Sequence, residues 1–380
     1  MAAGFRLTWW EYALERLRRI NILLALLCAG LLILGVLFIH GAGQQMGGKY
    51  AVLWKRQIFW ICMGLIAHAG IILVNLRTLG RYSWIVYSGA TLLLASVLVF
   101  GTEINNARSW LSLGPFTIQP SELMKPAAIV TLAWAASRPG IRMQRGDRIL
   151  LLAALTAIPV GLIARQPDHG TALVFLPIAG VMLFLGGLRW KWIGVAALLV
   201  ALAAPVGYQF ALAPHQRERI RTFLDPSADI RNTGWNAHQS MLAVGSGGFS
   251  GKGYMQGTQY VLGYLPQTVA PTDFIFSVIA EETGFVGASA LLACFFGVIL
   301  CCLRAAAVSS SSFGAYAAAG VAALVAIHVY VNLGMTVRVA PIIGIPLPLV
   351  SYGGSFMLGT MISLGLVQNV CITRRLDQEQ

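Results

Sequence analysis

A 380-residue chain that is 57% apolar and 11% charged is not an ordinary soluble domain, since such domains carry roughly a quarter charged residues. The formal net charge of +13 does not point to nucleic acid, because the basic residues sit in short connections between apolar runs, as topology signals do. A disulfide framework is excluded too: Cys28, Cys62, Cys294, Cys301 and Cys302 lie inside apolar runs and Cys371 near the end of the last one, so they read as small packing residues.

Apolar stretches long enough to cross ~30 Å of hydrocarbon recur along the chain. The first, Ile20–Ile39, is full length and is followed by others, which makes it a first span rather than a cleavable signal. The pattern predicts an all-α integral membrane protein, a single polytopic domain over 1–380. About ten transmembrane helices are expected near 20–40, 57–75, 82–100, 121–137, 149–165, 169–187, 191–211, 273–303, 313–337 and 349–372. Arg16, Arg18, Arg19, Arg138, Arg142, Arg145 and Arg148 fall on one side, whereas short loops of the other hold only Lys49, Lys55, Arg56, Arg108, Arg165 and Arg338. That bias places the N-terminus in the cytoplasm, and an even number of spans places the C-terminus there as well.

Carboxylates are distributed in the opposite sense. Glu103, Glu122, Asp168, Glu218, Asp225, Asp229, Asp273, Glu281 and Glu282 fall in outer loops or in helices that begin on the outer side. Acids at membrane depth are expensive and mark function. Between spans seven and eight, residues 212–272 form one large extracytoplasmic loop rich in Gly, Pro and polar side chains. A loop of that length is functional or disordered, and its Gln, Asn, Arg and aromatic content favours function.

Five segments could carry chemistry. In NNARSWLSLGPFTIQPSELMKP, Asn105–Pro126, Gly114-Pro115 and Pro120 punctuate a turn and Ser121-Glu122 begins a helix. Glu122 and Lys125 then share a face at i, i+3, either as a charge-neutralising pair or lining a cavity where Lys125 meets a phosphate. RQPDHGT, Arg165–Thr171, offers Asp168 as an N-cap or as a functional acid. In the long loop, Arg217, Arg219 and Arg221 alternate, and a glycine cluster surrounds Lys252. It fails the P-loop pattern at Ser246 and Gly253, which leaves close backbone approach to an anionic ligand, or a plain flexible loop. In APTDFIFSVIAEETGFVG, Asp273 lies at a helix start between apolar neighbours, as an N-cap or as a base with an environment-tuned pKa. IIGIPLPLVSYGGS, Ile342–Ser355, reads as a broken or re-entrant element, tolerated only where protein shields it or it lines a cavity.

Together these segments resemble, in order and across nearly the whole chain, the SEDS family (shape, elongation, division and sporulation) of peptidoglycan glycosyltransferases, typified by RodA and FtsW. The resemblance is carried by Trp110–Lys125 (WLSLGPFTIQPSELMK), Gln166–Thr171 (QPDHGT), Arg217–Pro226, Gly245–Gln259, Thr272–Glu282 and Pro346–Gly354 (PLPLVSYGG). Gly251-Lys252-Gly253 followed by Gly257-Thr258-Gln259 is similar to RodA rather than FtsW. Two departures stand out. LPQTVAPTDF is two residues longer than the family's usual run and lacks its Glu and His, and Arg338 stands in a stretch that is usually apolar.

The resemblance implies a bacterial cytoplasmic-membrane enzyme that polymerises lipid II on the outer face for cell-wall elongation and cell shape, releasing undecaprenyl pyrophosphate. It makes Asp273 the catalytic carboxylate, acting as general base, and implies substrate contacts from Glu122, Lys125, Trp110, Arg108, Asp168, Arg217, Arg219 and Lys252. A divalent cation (Mg or Mn) held near Asp273 and Glu122 is the one cofactor this chemistry could use. Small residues of the ninth span, Gly314, Ala318 and Ala322, are either a docking face for a class B penicillin-binding protein or internal packing. Other elongation-machinery proteins are further expected partners, and nucleic acid is not. The rivals are a lipid II flippase or transporter, a division-type polymerase and a non-catalytic scaffold. Against a carrier, the carboxylates pile up on one side instead of running through the midplane.

Overall fold

The computed structural model describes residues 8–104, 107–114, 116–138, 146–210, 214–224, 233–265 and 267–377. In chain order, α1 (Trp9–Arg18) and α2 (Ile22–Met46) lead through a 3-10 turn at Gly48–Tyr50 into α3 (Leu53–Leu73), α4 (Leu76–Arg81) and α5 (Ser83–Phe100). Strands β1 (Thr102–Ile104), β2 (Ala107–Leu113) and β3 (Phe116–Ile118) precede α6 (Pro120–Ser137), α7 (Gly146–Ala164), α8 (His169–Leu185) and α9 (Trp190–Phe210). Then come α10 (Pro214–Leu224), α11 (Thr233–Ser246), α12 (Ile275–Ala307), α13 (Ser312–Thr336) and α14 (Gly354–Asp377).

Each apolar segment predicted to span holds a long helix. Among the described residues seven of these, α2, α3, α5, α7, α12, α13 and α14, are long and apolar enough to cross a membrane by length and composition alone. α8, with 17 residues, is shorter, and α6 carries Glu122 and Lys125 in its first turns. Helices of this number, length and apolarity make this a multi-pass membrane protein.

Three expectations are corrected. The fold is not purely helical, because β1, β2 and β3 form a small antiparallel sheet in the order β1-β2-β3, with Leu111 opposite Ile118 and Glu103 opposite Arg108. β1 and β3, three residues each, give almost no alternation to read, and Gly114, at φ +62°, supplies the turn between β2 and β3. The segment expected as a long loop holds two helices, α10 and α11. The last helix starts at Gly354 instead of 349, because the Pro and Gly residues before it cannot continue a helix.

α13 is, with α14, one of the two most buried of these long apolar helices. Its alanines and glycines let neighbours approach closely: a Cβ on Gly320 would collide with Met182 of α8 and Ile129 of α6. The proposed docking residues are part of this interior. Gly314 is buried against Ser309 and Val370, and Ala318 and Ala322 are 0% and 3% exposed. They are internal packing, not a partner face.

α1 begins with a Thr8–Glu11 capping box. It is pinned by Arg16, which donates to the carbonyl of Ile72 at 2.6 Å and to Asn369 Oδ1 at 2.7 Å. The far end of the bundle is therefore tied by a buried guanidinium whose partners satisfy it.

Candidate active site

Asp273 stands in a turn two residues before α12, outside the membrane-spanning helix. Capping is not its role: the N-cap of α12 is Phe274, with no side-chain cap. Its backbone is held from both directions, N–H to the Val269 carbonyl at 3.0 Å and carbonyl from Asn332 Nδ2 at 2.8 Å. The same Asn332 nitrogen donates to the Ile345 carbonyl at 2.8 Å. Asn332 is completely buried, so one amide of α13 locks the Asp273 turn to the segment before α14.

That segment, 341–353, is non-helical and largely buried, so its backbone polar groups need partners. Ser351 Oγ accepts from Leu347 N–H at 2.8 Å and donates to the Thr272 carbonyl at 2.5 Å, while Tyr352 N–H reaches the Pro271 carbonyl at 2.9 Å. Gln57 of α3 donates to the Ser351 carbonyl at 3.1 Å and accepts from Gly353 N–H at 3.2 Å. The expected broken element is thus a clamp around residues 271–273. Gly344, at φ +78°, lets this backbone pass the acid: a Cβ there would stand 3.3 Å from Asp273 Oδ2. The Asp273 carboxylate itself receives no hydrogen bond from another described residue and is half-buried. Burial pushes it up to about 6, with Arg219 pulling it down and Asp168 adding to the rise.

Below this turn lies a second charged cluster. Lys125 Nζ donates to both oxygens of Glu122 at 2.8 Å, and both side chains are almost fully buried. His328 completes it, with Nε2 at 3.1 Å from Lys125 Nζ and Nδ1 at 2.7 Å from the Leu324 carbonyl. Those partners fix a neutral ring that donates from Nδ1 and accepts at Nε2. Asp168 caps α8, its Oδ1 accepting from Thr171 N–H at 3.1 Å and its Oδ2 from Gln119 Nε2 at 2.8 Å. Its charge acts on both Glu122 and Asp273. Sequence reasoning missed His328, Asn332 and Gln119. The first two are polar residues at i, i+4 in an apolar helix, a signal that was available.

The glycine cluster serves another purpose than ligand contact. α12 is broken at Gly284, φ +65° and ψ −162°, a backbone shape only glycine adopts readily. Residues 247–253 fill the break. Lys252 and Gly253 N–H groups reach the Glu281 and Glu282 carbonyls at 3.1 and 2.9 Å, and Phe285 and Val286 N–H groups reach the Gly248 and Phe249 carbonyls at 2.9 and 3.2 Å. The orphan groups of both half-helices are thereby satisfied. A Cβ on Gly247 or Gly251 would strike the α12 backbone.

Both glutamates turn to the same strap. Glu281 Oε1 takes Lys252 Nζ at 2.6 Å and Thr258 N–H at 2.8 Å, while Glu282 accepts from Met255 N–H at 3.0 Å and from the Tyr260 hydroxyl. Glu281 and Glu282 therefore do not join Asp273, and Lys252 is engaged away from it.

Arg108 is committed elsewhere as well. It donates to the carbonyls of Gly101 at 2.7 Å and Val99 at 2.9 Å, closing the C-terminal end of α5. Trp110 sits on β2, its carbonyl accepting from Thr102 Oγ1 at 3.1 Å. Of the basic candidates, Arg219 of α10 acts directly on Asp273. Arg217 is half-buried on the same helix. No group of three His, Cys, Asp or Glu among the described residues comes together to hold a metal. Glu122, locked to Lys125, shares no site with Asp273. Such a pair falls short of the six or more oxygens a hard divalent cation collects.

Known proteins match this chain over nearly its whole length. The profile of the FtsW/RodA/SpoVE family, described as a cell cycle protein, matches residues 20–376. The chain is 36% identical over 372 residues to peptidoglycan glycosyltransferase MrdB of Escherichia coli (strain K12), covering 97% of this chain and 96% of that protein. It is 31% identical over 424 residues to peptidoglycan glycosyltransferase RodA of Treponema pallidum, covering 92% of this chain and 96% of that one. Its fold matches a solved chain from a peptidoglycan synthase complex that coordinates polymerization and crosslinking, with a TM-score of 0.78 at 33% identity over 93% of this chain and 98% of that chain. A family profile matched over residues 20–376, with relatives at 36% and 31% identity over nearly the whole chain, places this chain in the FtsW/RodA/SpoVE family of cell cycle proteins.

Proposed function

We propose that this protein is a peptidoglycan glycosyltransferase of the rod type, working at the outer face of the bacterial cytoplasmic membrane. In this reading the ten long helices all span, both termini are cytoplasmic, and α10, α11 and the strap of residues 247–260 lie outside. The substrate is a lipid-linked disaccharide-peptide, lipid II. A sugar 4-hydroxyl attacks the anomeric carbon of the growing chain; the new C–O bond forms as the bond to undecaprenyl pyrophosphate breaks. Asp273 takes the hydroxyl proton, and arginine side chains of α10 meet the charge that develops on the departing pyrophosphate.

One observation carries this reading: a half-buried carboxylate with a rigidly held backbone and no hydrogen bond from the described residues. A structural acid in that position would be capped or paired. A carboxyl pushed up to about 6 is ionised at neutral pH and still basic enough to accept a proton. Glu122, Lys125 and His328 act as a buried support beneath it, with Asp168 and Gln119 linking the two levels. A crosslinking enzyme, of the class B penicillin-binding type, is the expected partner by analogy with the matched synthase complex. Its docking face does not include the buried Gly314, Ala318 and Ala322 of α13.

The test is polymerisation of purified lipid II by the full chain, with and without the partner, comparing wild type with Asp273→Asn and Asp273→Ala. Glycan strands should form with wild type and be lost in both variants. Wild-type rates from a folded Asp273→Ala protein would overturn the assignment, and lipid movement between leaflets without polymer would favour a flippase.

A further inference from the structure

The first helix, α1, has an exposed apolar stripe that neither the fold nor the mechanism above uses. At roughly 100° per residue, its side chains sort into distinct sectors. Ala13 and Arg16 are buried and face the bundle. Beside them Trp10, Leu14 and Leu17, at i, i+4 and i+7, form a stripe that is 71%, 52% and 47% exposed. Next round the helix come Arg18 and Glu11, both exposed, then Glu15 and Arg19, which pair at 2.7 Å. Tyr12 completes the circle, its hydroxyl accepting from Arg16 Nη1 at 3.1 Å. A helix resting on a bundle in water carries polar residues on both flanks. Here one flank is apolar and the other polar, which suits protein on one side, lipid beneath and water above.

α1 is not free to roll and hide the stripe. Besides the Arg16 bonds to Ile72 and Asn369, Arg375 of α14 donates to the carbonyls of Arg19 and Ile20 at 3.0 and 3.1 Å. The stripe is also continuous with a surface that must meet lipid. Asn21 caps α2, and Ile22, Leu23 and Leu26 at the start of that span are exposed. Leu17 lies five residues before Ile22, a reach of at most about 18 Å, so the stripe sits where the hydrocarbon begins. The same end of the molecule is basic. Arg77 and Arg81 of α4, just after the α3 turn that Arg16 grips, are exposed, as are Arg18 and Arg375. Of the two acids of α1, Glu15 is taken by Arg19 and Glu11 closes the N-terminal capping box.

We propose that α1 is an interfacial helix that docks on anionic phospholipid. Trp10, Leu14 and Leu17 enter the boundary between headgroups and acyl chains, and Arg18, Arg77 and Arg81 meet the lipid phosphates. Trp and Leu suit that depth, and each arginine close to an anionic surface strengthens the association about fivefold. The proposal goes beyond the polymerase reading and shares with it only the cytoplasmic placing of the N-terminus. A bilayer with the same lipids in both leaflets removes even that dependence from the test.

The full chain carrying Cys62→Ser, which removes the exposed thiol, is held in nanodiscs of phosphatidylcholine alone or mixed with phosphatidylglycerol. A nitroxide is placed at Leu14→Cys or Glu15→Cys, and its collisions with oxygen and with a water-soluble nickel chelate are compared after subtracting the signal of the Cys62→Ser chain. In the mixed discs the Leu14 label should meet oxygen and be shielded from nickel, and the Glu15 label should show the reverse. Separately, spin-labelled phosphatidylglycerol and phosphatidylcholine compete for the wild-type surface, where the anionic lipid should be preferred about fivefold. Arg18→Gln/Arg77→Gln/Arg81→Gln changes exposed side chains, so its melting temperature in phosphatidylcholine should hold while the preference falls to about twofold or less. High salt should lower the wild-type preference in the same way. A Leu14 label as open to nickel as the Glu15 label overturns the proposal, and so does an equal preference in wild type and the triple variant. A Leu14 label that loses its nickel contact only when a protein partner is added would make the stripe a protein-docking face and overturn it too. Neither readout involves turnover. A chain that shows both patterns yet makes no glycan defeats the polymerase reading alone, and one that polymerises with its Leu14 label open to nickel defeats lipid docking alone.

Discussion

Replacing Asp273 with asparagine should abolish polymerisation and stabilise the protein, and the second effect has a calculable size. In the folded chain the carboxyl titrates at about 6, against an ordinary value of 3.8, because the turn is buried. The native state therefore holds this proton more tightly than the unfolded one. Stability from the group is complete below pH 3.8, declines as pH rises through 6 and stays low above it. Roughly two pKa units at ~1.4 kcal/mol each give about 3 kcal/mol lost at pH 8. Asparagine keeps the shape and carries no charge, so Asp273→Asn should recover most of that amount at pH 8 and little at pH 4. The assay is thermal unfolding of detergent-purified wild type and variant at the two pH values, beside lipid II polymerisation. Wild-type activity should fall as pH drops through about 6, where Asp273 takes up its proton. A variant no more stable than wild type at pH 8, or equally stabilised at both pH values, would refute the idea that the site holds an uncompensated buried carboxylate.

Breaking the buried Glu122–Lys125 pair by Glu122→Gln should cost about 3–5 kcal/mol because Lys125 keeps its charge, whereas Glu122→Gln/Lys125→Met should recover much of the loss; melting temperatures decide this. Asn332→Leu removes both amide bonds to the carbonyls of Asp273 and Ile345 and lets the acid drift. The turnover number should drop on the order of 10²-fold with KM little changed, and an unchanged turnover number would remove Asn332 from a positioning role. Glu281→Gln weakens the hold on Lys252 and Thr258 and should speed proteolysis within residues 247–262. An equally resistant variant would mean that the backbone bonds across the Gly284 break suffice alone.

Much of the molecule was legible before any coordinates. Hydropathy located every long helix, since a run that must satisfy its own backbone in lipid has few alternatives to an α-helix. Pro120 and Asp168 marked the starts of α6 and α8 for local reasons, the fixed φ of proline and the oxygen of an N-cap. The Glu122–Lys125 pair followed from spacing alone, because i, i+3 residues meet on any helix.

Pairings between distant segments were not legible. Whether Asp273 was a cap or a free acid depended on where α12 begins, and that is decided by Val269, Asn332 and the clamp of 341–353 closing on the turn. The glycines near Lys252 looked like a ligand cradle, and only the break at Gly284, thirty residues on, shows what their backbone approaches. Small residues of α13 suited a docking face and internal packing equally; the surrounding helices buried them. Sequence by itself determined which segments leave water and where charge enters them, since both follow from local composition and helical period. Tertiary structure alone decided which carboxylate stays unpaired, because burial and pairing belong to contacts between residues far apart in the chain.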